Sequence, residues 1–468
     1  MQHKLNINVL TFLMAMFMLG ACKKGNDVVA PATTPPPTPT VAVATDPEKI
    51  KDSTLLFTKD IYLWYNQISP TFDARSYADP SAIMTAIRQY GTEPGFTGPV
   101  DKWSFAMKKT DWDALSGGLG TTFSATNSTS GDFGITVFFY AEGDLRVKFV
   151  EKASPSGLAG IRRGWRIIKI NGNTDITISN ATFIIDNVYK QTHSTFTFIK
   201  PDGSQAEITL DAAHYKERPV YLDTVYSVNS KKVGYLVFSS FLGDTAQIYN
   251  DFQGAFSRFA SQNVGDIIVD LRYNGGGYVS VQEKLANYLV TSAANGGVMM
   301  NQIYNDKYTK YNNITYFRKS GSINLPRIFF IVSKSTASAS ELLINNLKPY
   351  MDVKLLGNSN THGKPVGFFP IPVGDWYIFP VSFKSTNKNG EGNYYNGLTV
   401  NTLVSDGLNK DWGDITETSL ASALKYINSG SFRLDNTETY TEQTQQLRTA
   451  NVTLDAPAFK GMVDSRKR

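Results

Sequence analysis

From Pro47 to about Leu115 the apolar positions recur at helical spacing, and Leu55, Leu56, Ile61, Tyr62 and Trp64 can share one face. Asp79-Pro80-Ser81 predicts a second helix, with Asp79 as N-cap, Pro80 in the first turn and Ile83, Met84, Ile87 and Tyr90 as its stripe. From about Ser116 to Ala213 the period drops to two, and Gly134 to Tyr140 and Leu145 to Val150 read as strands. Beyond about Tyr221, strands over 233–239, 266–271, 327–332 and 353–356 alternate with helices over 245–261, 279–289 and 341–347. Such alternation predicts a largely parallel sheet covered by helices, with functional residues at the carboxyl ends of strands. The expected architecture is multidomain α/β. It comprises an N-terminal helical domain over 47–115, a small β domain over 116–215, an α/β domain over 216–430 and a polar extension over 431–468.

The start of the chain departs from these patterns. Lys4 precedes an apolar run from Val9 to Leu19, which is short for a membrane span and suits a secretory signal. Leu19-Gly20-Ala21-Cys22 resembles a bacterial lipoprotein cleavage box. The resemblance implies removal of residues 1–21, a diacylglycerol on the Cys22 thiol, and a chain held to a membrane by acyl groups, facing the periplasm or the cell surface. Residues 22–46, with Pro31, Pro35, Pro36, Pro37 and Pro39 among threonines, read as an extended tether.

Composition narrows the classes. Cys22 is the one cysteine, so no disulfide can form within the chain. The formal net charge of +5 is dispersed, with its densest cluster at 465–468, which argues against a nucleic-acid footprint. No spacing of His, Cys and carboxylates suggests a metal site, and no cofactor is expected.

Within the β domain, Ala153-Ser154-Pro155-Ser156-Gly157-Leu158-Ala159-Gly160-Ile161 reads as a short helix of small residues. Arg163-Gly164-Trp165-Arg166-Ile167-Ile168-Lys169-Ile170-Asn171-Gly172 follows as a strand closed by an Asn-Gly turn. In this order the two pieces resemble a PDZ domain of bacterial proteases, with Trp165 where such domains usually carry Asp. The resemblance implies capture of polypeptides with accessible C-termini, by strand addition to a sheet edge and backbone N–H groups on the carboxylate. Phe133-Gly134-Ile135 is the candidate carboxylate loop, and Gly117-Gly118-Leu119-Gly120 is the second candidate.

Two strand ends carry chemistry. At Asp270-Leu271-Arg272-Tyr273-Asn274-Gly275-Gly276-Gly277 a buried strand runs into three glycines, which let a ligand approach backbone N–H groups suited to an oxyanion. Three glycines in a turn are also a common tight bend. At Ile331 to Glu341 another buried strand meets a helix start, and a serine at such an elbow is exposed beside the next N–H. Ser338-Ala339-Ser340-Glu341 equally fits a capping box.

Together with Gly363-Lys364, these segments resemble the C-terminal processing peptidases, or tail-specific proteases, over roughly residues 50 to 430. That family has Asp-Leu-Arg-x-Asn-x-Gly-Gly, then Ser-Ala-Ser-Glu, then Gly-Lys, after a PDZ domain. The resemblance implies a catalytic domain of the ClpP/crotonase-like type and a serine endopeptidase. Ser338 would be the nucleophile, Lys364 the general base, and the N–H groups of Ala339 and Gly276 the oxyanion donors. A lysine can serve as base only when neutral, and the apolar Pro365-Val366-Gly367-Phe368-Phe369 could desolvate it. Pro349 stands where some members carry an acidic residue and Phe368 where many carry a glutamine, so the resemblance assigns no third catalytic partner. His362 offers a second arrangement, a serine–histidine pair. Outside proteolysis, the same fold permits an inactive scaffold for peptides or apolar ligands, or an acyl hydrolase with a similar oxyanion turn.

Overall fold

The computed structural model describes residues 46–119, 131–432, 454 and 459–465. The expected signal peptide, Cys22, nearly all of the tether, Gly120 of the second candidate loop and most of the polar extension lie outside the described residues. Among the described residues no helix is long and apolar enough to cross a membrane.

Helix α1 (Pro47–Ile61) is capped by Asp46, and α2 (Pro80–Ile87) by Asp79, whose carboxylate accepts the Ala82 N–H at 2.9 Å. Ile83, Met84 and Ile87 are buried as the stripe requires, whereas Leu56 faces solvent. Strand β1 (Phe105–Lys108) and α3 (Lys109–Ser116) follow. This region does not close a core of its own. Tyr62, Trp64, Trp103 and Trp112 share one cluster with Val366, Phe368, Phe379 and Val381, and β1 pairs antiparallel with residues 376–379. Short helices with one apolar stripe each bury too little alone and must find a partner layer.

The period-two region forms a five-stranded antiparallel sheet in sequence order. Its strands are β2 (Ile135–Ala141), β3 (Asp144–Val150), β4 (Arg166–Ile170), β5 (His193–Ile199) and β6 (Gln205–Asp211). Helix α4 (Pro155–Leu158) joins β3 to β4, and α5 (Ala181–Ile185) joins β4 to β5. Asn171 and Gly172 turn the chain after β4 with φ of 47° and 82°, the left-handed pair that an Asn-Gly turn supplies. Ile135, Val137, Leu145, Val147, Ile167 and Phe196 fill its core.

The chain then runs β7 (Val220–Val228), β8 (Lys231–Phe238), α6 (Thr245–Ser261), β9 (Asp266–Asp270), β10 (Gly276–Tyr278) and α7 (Val279–Leu289). Next come β11 (Val298–Tyr304), β12 (Asn313–Tyr316), β13 (Arg327–Val332), α8 (Ala339–Leu347) and β14 (Asp352–Gly357). Short strands β15 (Val366–Gly367), β16 (Ile371–Val373), β17 (Trp376–Phe379), β18 (Phe383–Thr386) and β19 (Thr402–Leu403) precede α9 (Thr418–Ser429). The central sheet has the order β19-β14-β13-β9-β8-β7 and is parallel except where β7 meets β8. Helices α6, α7 and α8 pack on one face and α9 on the other. Both faces are therefore covered, which is why β9 and β13 read as continuous apolar runs.

Among the described residues, one element lies in the region read as a polar extension. Strand β20 (Gly461–Val463) runs parallel to β10 and is buried.

Candidate active site

The elbow between β13 and α8 holds Ser338 at φ 59° and ψ −108°. A non-glycine residue held at positive φ is strained and needs its surroundings to impose it. Thr336 Oγ1 donates to the Leu271 carbonyl at 2.7 Å, the Ala337 N–H to the Asn274 carbonyl at 3.1 Å, and Ser340 Oγ to the same carbonyl at 3.0 Å. These bonds tie the end of β13 to the loop after β9. The Ser338 N–H donates to Glu341 Oε2 at 2.8 Å, but Ser338 Oγ is buried without a hydrogen-bond partner among the described residues. The Glu341 carboxylate thus supplies its half of a capping box at the start of α8. The serine hydroxyl is left for another use.

The glycine loop lies directly beside this elbow. Gly276 has φ of 104°, and a Cβ there would come within 2.9 Å of both the Ala337 carbonyl and Ala339 N. Only glycine fits so close a backbone approach. The Gly276 N–H, expected as an oxyanion donor, instead donates to Asn274 Oδ1 at 2.9 Å. The Asn274 side chain turns back onto its own loop, and Nδ2 donates to the Phe238 carbonyl at 3.0 Å. Ala339 N, the first N–H of α8, lies against this loop.

The Asp-Leu-Arg strand end supports the loop from below. Arg272 donates to Asp270 Oδ2 at 2.7 Å, to Asp406 Oδ1 at 2.8 Å and to Glu417 Oε1 at 2.8 Å, all of them buried. Arg163, from the five-stranded sheet region, donates to Asp406 Oδ1 at 2.5 Å and to Tyr273 Oη at 2.8 Å. Burial alone would raise the Asp406 carboxyl, yet Arg163 and Arg272 hold it well below the usual carboxylate range. A buried cluster with every charge paired avoids the cost of a lone buried ion.

Lys364 follows β14 on the loop that leads into β15, and it is fully buried. Its Nζ lies 3.9 Å from the Phe368 ring centroid and 5.7 Å from that of Trp103, and it donates to the Lys460 carbonyl at 2.8 Å. Burial pushes its pKa well below that of an ordinary lysine, outweighing the upward pull of the Asp101 and Glu341 carboxylates. This downward shift, on the loop after β14, is in the direction that a lysine acting as base requires.

Glu341 links the two loops. Its Oε2 accepts the N–H groups of Ser338 and Lys364, each at 2.8 Å. Its Oε1 accepts the Gly363 N–H at 2.6 Å and the Thr361 hydroxyl at 2.5 Å. Sequence reasoning gave Glu341 only a helix cap. The sole hint of more was that a buried carboxylate must find several donors.

His362 faces a different set. Its Nε2 accepts from Trp103 Nε1 at 3.0 Å, and its pKa is lowered to about 4 by burial and by nearby Lys460, Lys334 and Lys364. The nitrogen that would take a proton as base is thus occupied.

The candidate carboxylate loop lies at the start of β2. Phe133 and Ile135 are buried in the core of the five-stranded sheet. The Gly134 N–H donates to Asp132 Oδ1 at 2.7 Å, and the Phe133 carbonyl accepts from Ser156 at 3.0 Å. Strand β2 is an edge strand, and its Val137 N–H donates to Tyr189 Oη at 3.1 Å.

Residues 232–399 match Peptidase family S41. The chain is 24% identical over 303 residues to carboxy-terminal processing protease CtpB of Bacillus subtilis, covering 64% of this chain and 58% of that protein. It is 26% identical over 247 residues to a CtpA-like serine protease of Staphylococcus aureus strain COL, covering 52% of this chain and 47% of that protein. The chain therefore spans about half the length of the curated relatives it matches. Among solved structures, a protein assigned to the S41 proteases from Bacteroides fragilis superposes with a TM-score of 0.64 at 22% identity, over 80% of this chain and 96% of that one. At that identity the likeness shows a shared fold.

Proposed function

We propose, on the match of residues 232–399 to Peptidase family S41 and the likeness to carboxy-terminal processing proteases, that the chain is a serine endopeptidase acting through an acyl-enzyme on Ser338, with Lys364 as general base. The observation that carries this reading is the single carboxylate of Glu341 holding the backbone of both residues, with Ser338 Oγ unpartnered and Lys364 buried as a poor proton holder. Neutral Lys364 takes the hydroxyl proton as Ser338 Oγ attacks the substrate carbonyl. The resulting ammonium returns the proton to the leaving amine, and water then releases the acyl group by the same steps in reverse. The Ala339 N–H at the start of α8 stabilises the oxyanion. The Gly276 N–H joins it only if Asn274 releases it.

An inactive scaffold would gain nothing from this arrangement. A strained serine and a desolvated lysine both cost stability, and neither is needed to bind a ligand.

The five-stranded region over 116–215 is read as a PDZ-like domain that captures C-terminal tails along the β2 edge, with Phe133, Gly134 and Ile135 as its carboxylate loop. Support comes from the edge position of β2 and from the helical turn Asp186–Lys190 after α5, whose Tyr189 Oη accepts the Val137 N–H of β2. A tail added there must displace Tyr189 from the Val137 N–H. The substrates are exported polypeptides with accessible C-termini. The N-terminal sequence supports export and anchoring through Cys22, in the periplasm or at the cell surface.

The test is hydrolysis of an unfolded protein such as casein by the chain lacking residues 1–22, beside Ser338→Ala and Lys364→Ala. The parent is expected to cut and neither variant to cut. Cleavage by the variants at the parental rate would remove both residues from the mechanism.

A further inference from the structure

We infer that residues 459–464 occupy the substrate strand of this site, so that the protein carries its own competing peptide. The inference rests on the peptidase reading of the site, and it follows from what lines the groove. Three glycines with no other shared role face the backbone of this segment. A Cβ on Gly275 would overlap the Phe459 carbonyl, one on Gly276 would overlap that of Gly461, and one on Gly367 would come within 2.9 Å of that of Met462. Glycines placed this way clear a path for a main chain.

The segment binds as an added strand, the mode by which an extended peptide joins a sheet edge. The Gly461 N–H donates to the Gly275 carbonyl at 3.0 Å, and β20 pairs parallel with β10. On its other side the Phe368 N–H donates to the Met462 carbonyl at 3.0 Å, and the Asp464 N–H to the Phe368 carbonyl at 3.1 Å. Lys364 Nζ donates to the Lys460 carbonyl at 2.8 Å, which engages the base itself. Ser338 and Lys364 have no exposed surface with the segment in place. A polypeptide substrate reaches them only when the segment leaves.

Side chains define what the groove selects. The Phe459 ring sits among Phe105, Trp112 and Phe368 at centroid separations of 6.2, 5.7 and 6.4 Å. Met462 enters a cluster with Val279, Met300, Leu342 and Phe383, and Val463 packs with Leu242 and Phe368. The preferred substrate is therefore an extended apolar segment with an aromatic residue, a small residue two places on, and Met-Val after it.

The test uses the chain lacking residues 1–22, with a site-specific protease recognition sequence placed within 433–453, intact and after cutting. Cutting turns an intramolecular contact into a bimolecular one and forfeits the millimolar effective concentration of a tethered segment, roughly. A fluorescent peptide of residues 457–466 is expected to bind the cut protein about tenfold or more tightly than the intact one, given that loss. Casein hydrolysis is expected to rise on cutting, and unlabelled peptide to suppress it by raising KM. Met462→Asp in the uncut chain should raise hydrolysis in the same way, and the cut protein decides the matter if that variant does not fold. Equal peptide binding by intact and cut protein, or binding by neither, overturns the inference. So does Ser338-dependent hydrolysis that is equal before and after cutting, and this outcome leaves the endopeptidase reading standing. Peptide binding confined to the cut protein, without Ser338-dependent hydrolysis in either form, supports occupancy and removes the endopeptidase reading instead.

Discussion

Glu341 accepts the Lys364 backbone N–H at 2.8 Å with the same oxygen that accepts the Ser338 N–H. One buried carboxylate thus fixes the distance between the elbow of the nucleophile and the loop of the base. Glu341→Gln keeps the shape but replaces one acceptor oxygen with a donor that faces N–H groups. A misplacement of about 1 Å in such a site can cost on the order of 10²-fold in rate, and a buried unsatisfied donor costs about 1–3 kcal/mol. Glu341→Gln should therefore lower kcat for casein far more than it raises KM, with a measurable fall in the urea midpoint. Parental kcat in a folded variant would show that the carboxylate does not position the pair.

Lys364 gives a pH prediction with a definite sign. Burial depresses its pKa in the folded protein below the unfolded value of about 10.4. The folded state then binds fewer protons, so this group's contribution to stability grows as pH rises from the folded pKa toward the unfolded one. Activity should rise over the same lower limb, as the amine becomes neutral, and reach a plateau. Lys364→Met removes the desolvated amine. It should raise the thermal midpoint at neutral pH while abolishing hydrolysis, which calorimetry and a casein assay run from pH 5 to 9 can check.

Much of this was legible from residue order, because the signals were local. Buried strands such as Arg327–Val332 are continuous apolar runs, and Asp79 before Pro80 marks a helix start without reference to anything distant. What escaped was contact between distant segments. Periodicity shows that Tyr62 and Trp64 need cover, but not that Phe379 and Val381 supply it. It places glycines at an oxyanion turn, but not the Asn274 side chain that takes the Gly276 N–H. Strand β20 spans three residues in a polar surrounding, too few for any period to register.

The ion network around Arg272 predicts a stability effect separate from catalysis. Arg163→Ala leaves Asp406 buried with one guanidinium fewer and removes the stack of Arg163 on Trp412, 4.5 Å from the ring centroid. Breaking a buried pair by deleting one partner costs about 3–5 kcal/mol. Arg163→Ala should shift the urea midpoint accordingly. An unchanged midpoint would mean that the network carries no net stability.

A second pH effect belongs to the exit of the five-stranded sheet. Glu151 is buried near Glu217, and its carboxyl is raised first by burial and then by the Glu217 charge. Glu217 is raised by burial and by Asp132. Both folded pKa values lie above the unfolded value of about 4.3. Between that value and their folded pKa values, the folded state holds protons that the unfolded chain releases. The stability these groups contribute is therefore complete below the unfolded pKa and is lost as pH rises through the folded pKa values. Glutamine mimics the protonated carboxyl, so Glu151→Gln should hold its thermal midpoint from pH 5 to 8.5 better than the parent does. Its advantage should be largest at the alkaline end. Parallel midpoint curves for the two proteins would assign the pair no role in pH-dependent stability.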